Sequence, residues 1–420
     1  MSNLRQSTVM PELLAPAGSF EKLETAIHYG ADAVYMGGQH YGLRAKAKNF
    51  DENELKEAIA YGHGHGVKIY VTVNIFAHNK DFEGLDHYLK SLESFGADGV
   101  IVSDPGILMM AKETIPHVPI HLSTQANVTN GQSARFWSAQ GVRRLNLARE
   151  LGYDEIVAIR AATNAELEVF VHGALCISYS GRCMLSTYLT GRDANHGNCA
   201  HPCRYSFTLI EEKRPGERFK VVEDDRGTYL FNSKDLCLLK KLPMLMGIGI
   251  NSLKIEGRMK SIFYVGGVVR VYRAVLDYLS TLETTQWDNP TNIELPVEFL
   301  QEIERLGTRG MTENFFDGPP DETDMLYESS RHEQPYEPVA VVRDAGDPPL
   351  VEVRNVLRSD EKIEYMDSGV RTVTLQLSAM FDQTGKKLTR ANPGNLVRIE
   401  FTSSTEIFTQ NGIFRRRKEP

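Results

Sequence analysis

Gly30-Ala-Asp-Ala-Val-Tyr-Met36 is echoed along the chain by Gly66-Val-Lys-Ile-Tyr-Val71, Gly96-Ala-Asp-Gly-Val-Ile-Val102, Gly141-Val-Arg-Arg-Leu-Asn-Leu147 and Gly249-Ile-Asn-Ser-Leu-Lys-Ile255. In each phrase a glycine able to close a helix precedes a short apolar run suited to a buried parallel strand. Glu12-Leu-Leu-Ala15, Ile120-His-Leu-Ser123 and Leu167-Glu-Val-Phe-Val171 add three more runs, giving eight candidate strands. Intervening segments such as Phe20 to Tyr29 and Glu52 to Tyr61 carry apolar residues at helical spacing. Eight βα units within about 250 residues fit a TIM-type (β/α)8 barrel. Strand count does not prove closure, so a doubly wound open sheet is the structural alternative.

From the end of the seventh run, near Gly173, to the start of the eighth, near Ser252, the chain is far longer than a usual crossover. This connection therefore holds an insertion, at about residues 174–250, within a barrel domain spanning 10–330. An acidic, proline-containing stretch from Pro319 to Pro338 leads to a second region. There Val339-Ala-Val-Val, Leu350-Val-Glu-Val, Val373-Thr-Leu-Gln-Leu and Leu396-Val-Arg-Ile-Glu-Phe alternate with turn residues, which predicts a small β-barrel over 335–412.

A 47.2 kDa chain with 41% hydrophobic and 24% charged residues has the composition of an ordinary globular protein, not of a disordered one. Met1 to Pro11 carries one arginine and no apolar run, and no stretch approaches the roughly 18 apolar residues of a spanning helix. The expected setting is the cytoplasm, without a membrane. A net charge of −8 argues against generic polyanion binding but is compatible with a local basic face.

All five cysteines lie between residues 176 and 237. Cys176, Cys183, Cys199, Cys203 and Cys237 have the spacing C-x6-C-x15-C-x3-C-x33-C. In a reducing compartment, clustered thiols of odd number point to metal or redox chemistry before disulfides. Four thiolates suit a 4Fe-4S cluster or a structural zinc. The single close pair, Cys199-x3-Cys203, fits a zinc ribbon poorly, yet spacing alone leaves cluster, zinc and free buried thiols open. Ser233 reads as a helix cap, which would put Cys237 in a first helical turn where the helix end favours a thiolate.

In a TIM barrel the carboxyl ends of the strands form the active site. Glu12, Asn74, Asp104, Gln125, Arg149, Glu150, His172 and Glu256 read as residues closing or nearly closing strands, with a cap or strand-end hydrogen bond as the plain alternative for each. His172, Glu150 and Glu256 are the acid–base candidates. Arg44, Lys46, Lys48, Arg149, Arg182, Arg192, Arg204, Lys254, Arg258 and Lys260 gather near the same face and suit phosphates or carboxylates. Tyr179, Tyr188 and Tyr205 are placed to stack on a base or to pack the insertion. The run Arg415-Arg-Arg-Lys418 reads either as a polyanion contact or as a solvated end. No His-Glu-x-x-His, Walker loop or Gly-x-Ser-x-Gly is present.

Several of these segments together carry a family resemblance: Pro11-Glu-Leu-Leu-Ala-Pro-Ala-Gly18, Arg44-Ala-Lys-Ala-Lys-Asn-Phe50, Leu122-Ser-Thr-Gln125, Leu147-Ala-Arg-Glu-Leu151, Phe170-Val-His-Gly-Ala-Leu-Cys176, Gly181-Arg-Cys183 and Ser252-Leu-Lys-Ile-Glu-Gly-Arg258. The chain resembles peptidase family U32 along essentially its whole length. Despite the family's name, the resemblance implies an oxygen-independent hydroxylase with an iron–sulfur cluster, and a peptidase is the rival enzyme reading. Asn198-Cys-Ala-His-Pro-Cys-Arg-Tyr205 and the appended β-domain are most similar to the tRNA-hydroxylating branch. That branch implies prephenate-dependent formation of 5-hydroxyuridine at the wobble position of the tRNA anticodon, with an electron donor as a further partner. Cys176, Cys183 and Cys199 are then expected cluster ligands, with Cys203 or Cys237 as the fourth. Arg44, Arg149, Lys254 and Arg258 are the expected anchors for prephenate carboxylates or RNA phosphate. A non-catalytic protein, stapled by zinc and binding RNA, is the remaining alternative.

Overall fold

The computed structural model describes residues 10–42, 49–175, 185–190, 200, 209–210, 218–219, 222–224, 227–229, 234–307, 310–318, 334–402 and 406–418. Eight parallel strands form its first sheet: Glu12–Pro16, Ala33–Gly37, Lys68–Val73, Gly99–Val102, Ile120–Leu122, Arg144–Asn146, Glu166–Gly173 and Ser252–Ile255. Each pairs with the next, and the eighth also pairs with the first, Ser252 standing beside both Glu12 and Glu168. The sheet is therefore closed, and the open-sheet alternative is excluded.

All five repeat glycines, Gly30, Gly66, Gly96, Gly141 and Gly249, have φ between 72° and 93°, where a Cβ is disfavoured. Gly96 and Gly249 are themselves left-handed caps that end helices Leu85–Phe95 and Leu242–Ile248. Helix starts are equally local in origin. Asp51 accepts from the Glu54 amide at 2.8 Å while Glu54 accepts from the Asp51 amide at 2.9 Å, a closed capping box opening the helix Glu52–Gly64.

The insertion leaves after Gly173 and returns through a short strand, Asp235–Cys237. This strand runs antiparallel to the end of the seventh barrel strand, Leu236 opposite Gly173 and Cys237 opposite His172, and parallel to Met311–Thr312. Cys237 therefore lies on a strand and not in a first helical turn, two residues ahead of the short 3-10 helix Leu239–Lys241. Buried Leu236 and the backbone partners offered by the seventh strand favour extension here. The helix itself begins only at Leu242. Ser233 lies outside the described residues.

A second, antiparallel barrel closes from six strands: Tyr336–Asp344, Leu350–Val353, Lys362–Met366, Thr372–Phe381, Leu396–Phe401 and Ile413–Arg417. Its last strand extends beyond the limit at 412 read from the sequence and corrects the reading of the terminal basic run. Arg415 is fully buried and grips Glu302, on the helix Val297–Arg305, at 2.5 and 3.0 Å, and Glu364 at 2.9 Å. Arg416 is held by Glu337 and Glu361, both at 2.7 Å. These guanidiniums are committed to carboxylates of their own chain and are not a polyanion site.

Arg270, from the long helix Ile262–Ser280, is also fully buried. It donates to the carbonyls of Gly369 and Arg371 and lies 3.5 Å from Glu302. One carboxylate thus stands between two buried guanidiniums. We expect Glu302→Ala, which removes the carboxylate facing Arg270 and leaves Arg415 with the Glu364 carboxylate, to cost about 3–5 kcal/mol in urea unfolding. Replacing Arg270, Glu302 and Arg415 together by Met or Leu is expected to recover most of that loss, a comparison that separates charge pairing from packing.

Candidate active site

The barrel interior carries buried polar groups above and below a small apolar cluster of Leu14, Ala33, Tyr35, Tyr70 and Ile101. Near the floor, Arg144 contacts Glu12 at 2.6 Å, Glu166 at 2.8 Å and Glu168 at 3.5 Å. Tyr70 donates to Glu12 at 2.9 Å, and Lys254 meets Glu168 at 2.7 Å. Glu12 opens the first strand instead of closing it, so it belongs to the floor and not to the catalytic face. Lys254 also departs from expectation. In the register it stands level with Phe170, and its ammonium reaches back to Glu168 and lies 4.5 Å from the Tyr35 ring centre and 5.4 Å from that of Phe170. Its charge is already matched inside the core, which removes it as an anchor for a carboxylate ligand.

Glu256 follows the eighth strand at the mouth. Its Oε2 lies 3.4 Å from the Tyr35 hydroxyl and 3.8 Å from Arg149 Nη2. Arg149 donates to the Ala174 carbonyl at 2.8 Å and lays its guanidinium 3.9 Å over Phe170, so it holds the start of the insertion while facing Glu256. Arg258 is buried and donates to Thr72 Oγ1 at 3.2 Å and Asn49 Oδ1 at 3.1 Å. Space for it depends on Gly37, where a Cβ would fall 2.6 Å from Arg258 Nη1.

Across the mouth, Gln125 accepts from Asn74 at 2.8 Å and from Ser123 at 3.0 Å. Asp104 is the helix cap of the plain reading, accepting from the amides of Gly106 and Ile107 at 2.7 and 3.1 Å. Glu150 has one buried carboxylate oxygen without a hydrogen bond, and burial raises its carboxyl above the ordinary range, which suits a proton donor.

His172, an acid–base candidate of the sequence, is buried at the end of the seventh strand with its Nε2 without a hydrogen bond. Burial lowers its imidazole to about 4, outweighing the nearby Asp235 carboxylate, and the ring is neutral at neutral pH. It packs among Tyr264 and Tyr272, whose hydroxyl donates to the Val171 carbonyl at 2.7 Å.

Cys237 stands opposite His172 in the register and lines a cavity of about 540 Å³ with Lys234, Leu239, Ile303, Met311 and Asn314. Burial pushes its thiol up, the reverse of the expectation from a helix end. A thiol raised by burial is a poor free nucleophile at neutral pH. The described chain continues from His172 to Leu175, one residue before the first cysteine of the insertion. Among the described residues no group of three metal-binding side chains occurs. Cys176, Cys183, Cys199 and Cys203 lie outside the described residues, as do Arg44, Lys46, Lys48, Tyr179, Arg182, Arg192, Arg204 and Tyr205. Tyr188 falls on the helix Leu185–Thr190.

Two family models match this chain, peptidase family U32 over residues 18–326 and the peptidase family U32 C-terminal domain over 334–411. The chain belongs to peptidase family U32. Among its relatives, tRNA hydroxylation protein P1 of Bacillus subtilis is 38% identical over 410 residues, covering 97% of this chain and 95% of that protein. The tRNA hydroxylation protein P of Escherichia coli is 38% identical over 345 residues, 73% of this chain and 74% of its own length. The 23S rRNA 5-hydroxycytidine C2501 synthase of Escherichia coli is 39% identical over 266 residues, covering 63% of this chain and 39% of that protein.

Within this U32 barrel the residues missed from the sequence are Tyr35, Thr72 and Asn146, each an inward position in a strand otherwise read as apolar. Period-two alternation from a known inward neighbour is the signal that finds them. No described helix is long and apolar enough to cross a membrane.

Two carboxylates of this barrel should respond to pH with opposite sign. Burial opposes ionisation of Glu12, but the charge and hydrogen bond of Arg144, with Tyr70 and Lys68, outweigh it and hold the carboxyl below its ordinary value. Its stabilisation is present above the unfolded value and lost as pH falls through the folded one. Glu12→Gln should therefore destabilise at pH 7, on the order of 1–3 kcal/mol, and converge with wild type in acid. Glu150, raised by burial, is penalised when ionised, so Glu150→Gln should stabilise at pH 7 and also converge in acid. Urea unfolding across pH 3–7 reads both.

Proposed function

We propose that this protein is a tRNA hydroxylase that forms 5-hydroxyuridine at the wobble position, independently of oxygen and with prephenate as co-substrate, in the cytoplasm. The observation that carries the reading is the return strand Asp235–Cys237 on the end of the seventh barrel strand. It sets a half-buried thiol, with no disulfide among the described residues, at the barrel's carboxyl end, beside the root of the segment bearing the other four cysteines. The relatives named as tRNA hydroxylation proteins support the substrate class.

Cys176, Cys183 and Cys199 would hold a 4Fe-4S cluster with either Cys203 or Cys237, and such a cluster supplies one-electron chemistry at the barrel mouth. Around it the chain's own residues bind and orient. Arg149 and Arg258, with Arg44, provide guanidinium forks for the carboxylates of prephenate or for RNA phosphate. The Tyr35 hydroxyl and Arg149 position the Glu256 carboxylate, and Glu150 is suited to exchange a proton with the substrate. The filled barrel beneath keeps bulk water from the floor of the site.

A peptidase is disfavoured by the same geometry. The Cys237 thiol is raised by burial, and His172 is neutral and packed among tyrosines, so the described residues offer no activated nucleophile and base.

Anaerobically purified protein should contain iron and acid-labile sulfide. One of Cys203→Ser and Cys237→Ser should strip the cluster while the other leaves it intact. Wobble 5-hydroxyuridine derivatives should disappear from tRNA of a deletion strain and return with the wild-type gene but not with Cys176→Ser, as read by nucleoside mass spectrometry. Zinc without iron and sulfide, or unchanged wobble modification in a strain lacking paralogues, would sink the proposal. Casein cleavage that depends on Cys176 would point to the peptidase.

A further inference from the structure

We propose that Gln125 and Asn146 read the pyrimidine that enters the barrel, Gln125 donating to a base carbonyl and Asn146 accepting from the adjacent ring N–H, so that uracil is taken and cytosine rejected. The inference rests on the hydroxylase reading and names how its site selects the base.

Both side chains are placed by the barrel register. Arg144 points inward, as its contacts with Glu12 and Glu168 require, and Asn146, two residues on, shares that face. His121 points inward against Tyr70, at 4.5 Å between ring centres, and Ser123 follows it on the same face. Leu122 pairs with Leu145, so Ser123 and Asn146 come next to each other at the carboxyl ends of neighbouring strands. Gln125 lies one turn beyond, in the short helical turn Thr124–Ala126, which is tied to the sixth strand's end by Thr124 donating to the Leu147 carbonyl at 2.9 Å.

The orientation of the Gln125 amide is set by its neighbours. Its oxygen accepts from Asn74 Nδ2 at 2.8 Å and from Ser123 Oγ at 3.0 Å, which turns the amide nitrogen away from both. That nitrogen is buried and donates to nothing, and Asn146 Oδ1 is buried and accepts nothing. Each residue is only 2% exposed. A buried polar group without a partner is destabilising, and native interiors contain few. Two on adjoining strands at the catalytic end, one a donor with fixed direction and one an acceptor, form a matched pair awaiting a ligand.

The Watson–Crick edge of uracil supplies its complement. The O4 carbonyl accepts and the neighbouring N3–H donates, whereas cytosine presents an N4 amino donor and a bare N3 acceptor, the inverse at both atoms. A site built to hydrogen-bond one pattern discriminates strongly against its inverse, because the wrong base leaves its own groups and those of the site unpaired.

Two anticodon stem-loops differing only in U or C at the wobble position test this with the full-length, cluster-loaded protein. Fluorescence anisotropy should show about 10- to 100-fold tighter binding of the uracil stem-loop by wild type. Gln125→Met, which removes the donor without introducing a titratable group, should abolish that preference and lower single-turnover yield on uridine by a similar factor, with iron content unchanged. Asn146→Leu, on a separate element, should produce the same loss of preference if the first variant folds poorly. Equal affinity of wild type for the two stem-loops, or a preference retained in both variants, overturns the inference and leaves the two amides as ordered-water sites. A uracil preference that needs Gln125, in a protein forming no hydroxyuridine, supports base reading while overturning the hydroxylase proposal.

Discussion

Closure of the barrel by Ser252–Ile255 is the constraint on which the remaining geometry depends. This strand lies between the first and seventh strands, and both of its edges are consumed in parallel pairing. Because the chain must return to that slot after the insertion, Asp235–Cys237 and the helix Leu242–Ile248 are drawn in beside the seventh strand. Beyond Ile255 the chain passes over the mouth, bringing Glu256 to Arg149 and wedging Arg258 against Gly18 and Gly37. At Gly18 a Cβ would fall 2.3 Å from the Arg258 carbonyl oxygen, so the close approach of the Pro16-Ala-Gly18 and Gly257-Arg258 turns requires glycine there.

The interior of this barrel divides by how completely its polar groups are matched. At the floor, Glu12 and Glu168 face Arg144 and Lys254 at hydrogen-bonding range, which is the condition under which buried charge is tolerated. Matching is not complete at the floor, where His121 Nδ1 is buried without a hydrogen bond, and it is poorer at the mouth. Gln125 Nε2, Asn146 Oδ1, Arg149 Nε and a Glu150 oxygen are all buried without hydrogen bonds. The same closed sheet supports both ends, so the contrast does not reflect poor packing in general. It marks the end where local rules are broken in favour of a ligand, as expected where the βα loops converge.

The sequence carried the fold further than the site. The glycine-plus-apolar phrase is local chemistry repeated five times, and each copy reports a helix end and a buried strand without reference to the rest of the chain. Sites depend on direction and register, which local pattern does not supply. Glu12 read as a mouth residue because a strand-flanking carboxylate looks the same at either end, and only the chain direction separates floor from mouth. Lys254 read as a free cation because its partner, Glu168, is eighty-six residues away. Cys237 read as helical because the attraction that straightens it is backbone pairing to Gly173 and His172. The inward alternation that places Asn146 was legible, but its apolar neighbours Leu145 and Leu147 masked it.

The second barrel is attached by two different kinds of force, and the difference matters for its role. Val341, Met366 and Ile413 belong to the same apolar cluster as the catalytic barrel's core, so burial supplies the energy of docking. The polar contacts supply direction. Tyr29 donates to the Met366 carbonyl at 3.1 Å and accepts from the Ile413 amide at 3.0 Å, and Arg270 reaches the carbonyls of Gly369 and Arg371. Buried ion pairs such as Glu302 with Arg415 add little net stability over apolar replacements, yet they penalise any shift that leaves one charge alone. At the mouth-side end of the first helix, Glu21 is shared by Arg343 and Arg354 from the second barrel. That contact lies one residue from Lys22, which donates to the Arg258 carbonyl. The second barrel is thus keyed to the rim of the catalytic mouth at one end of this helix and to its core at the other. Among the described residues, the second barrel is therefore held against the first at both ends of this helix, by apolar burial at one and by a shared carboxylate at the other.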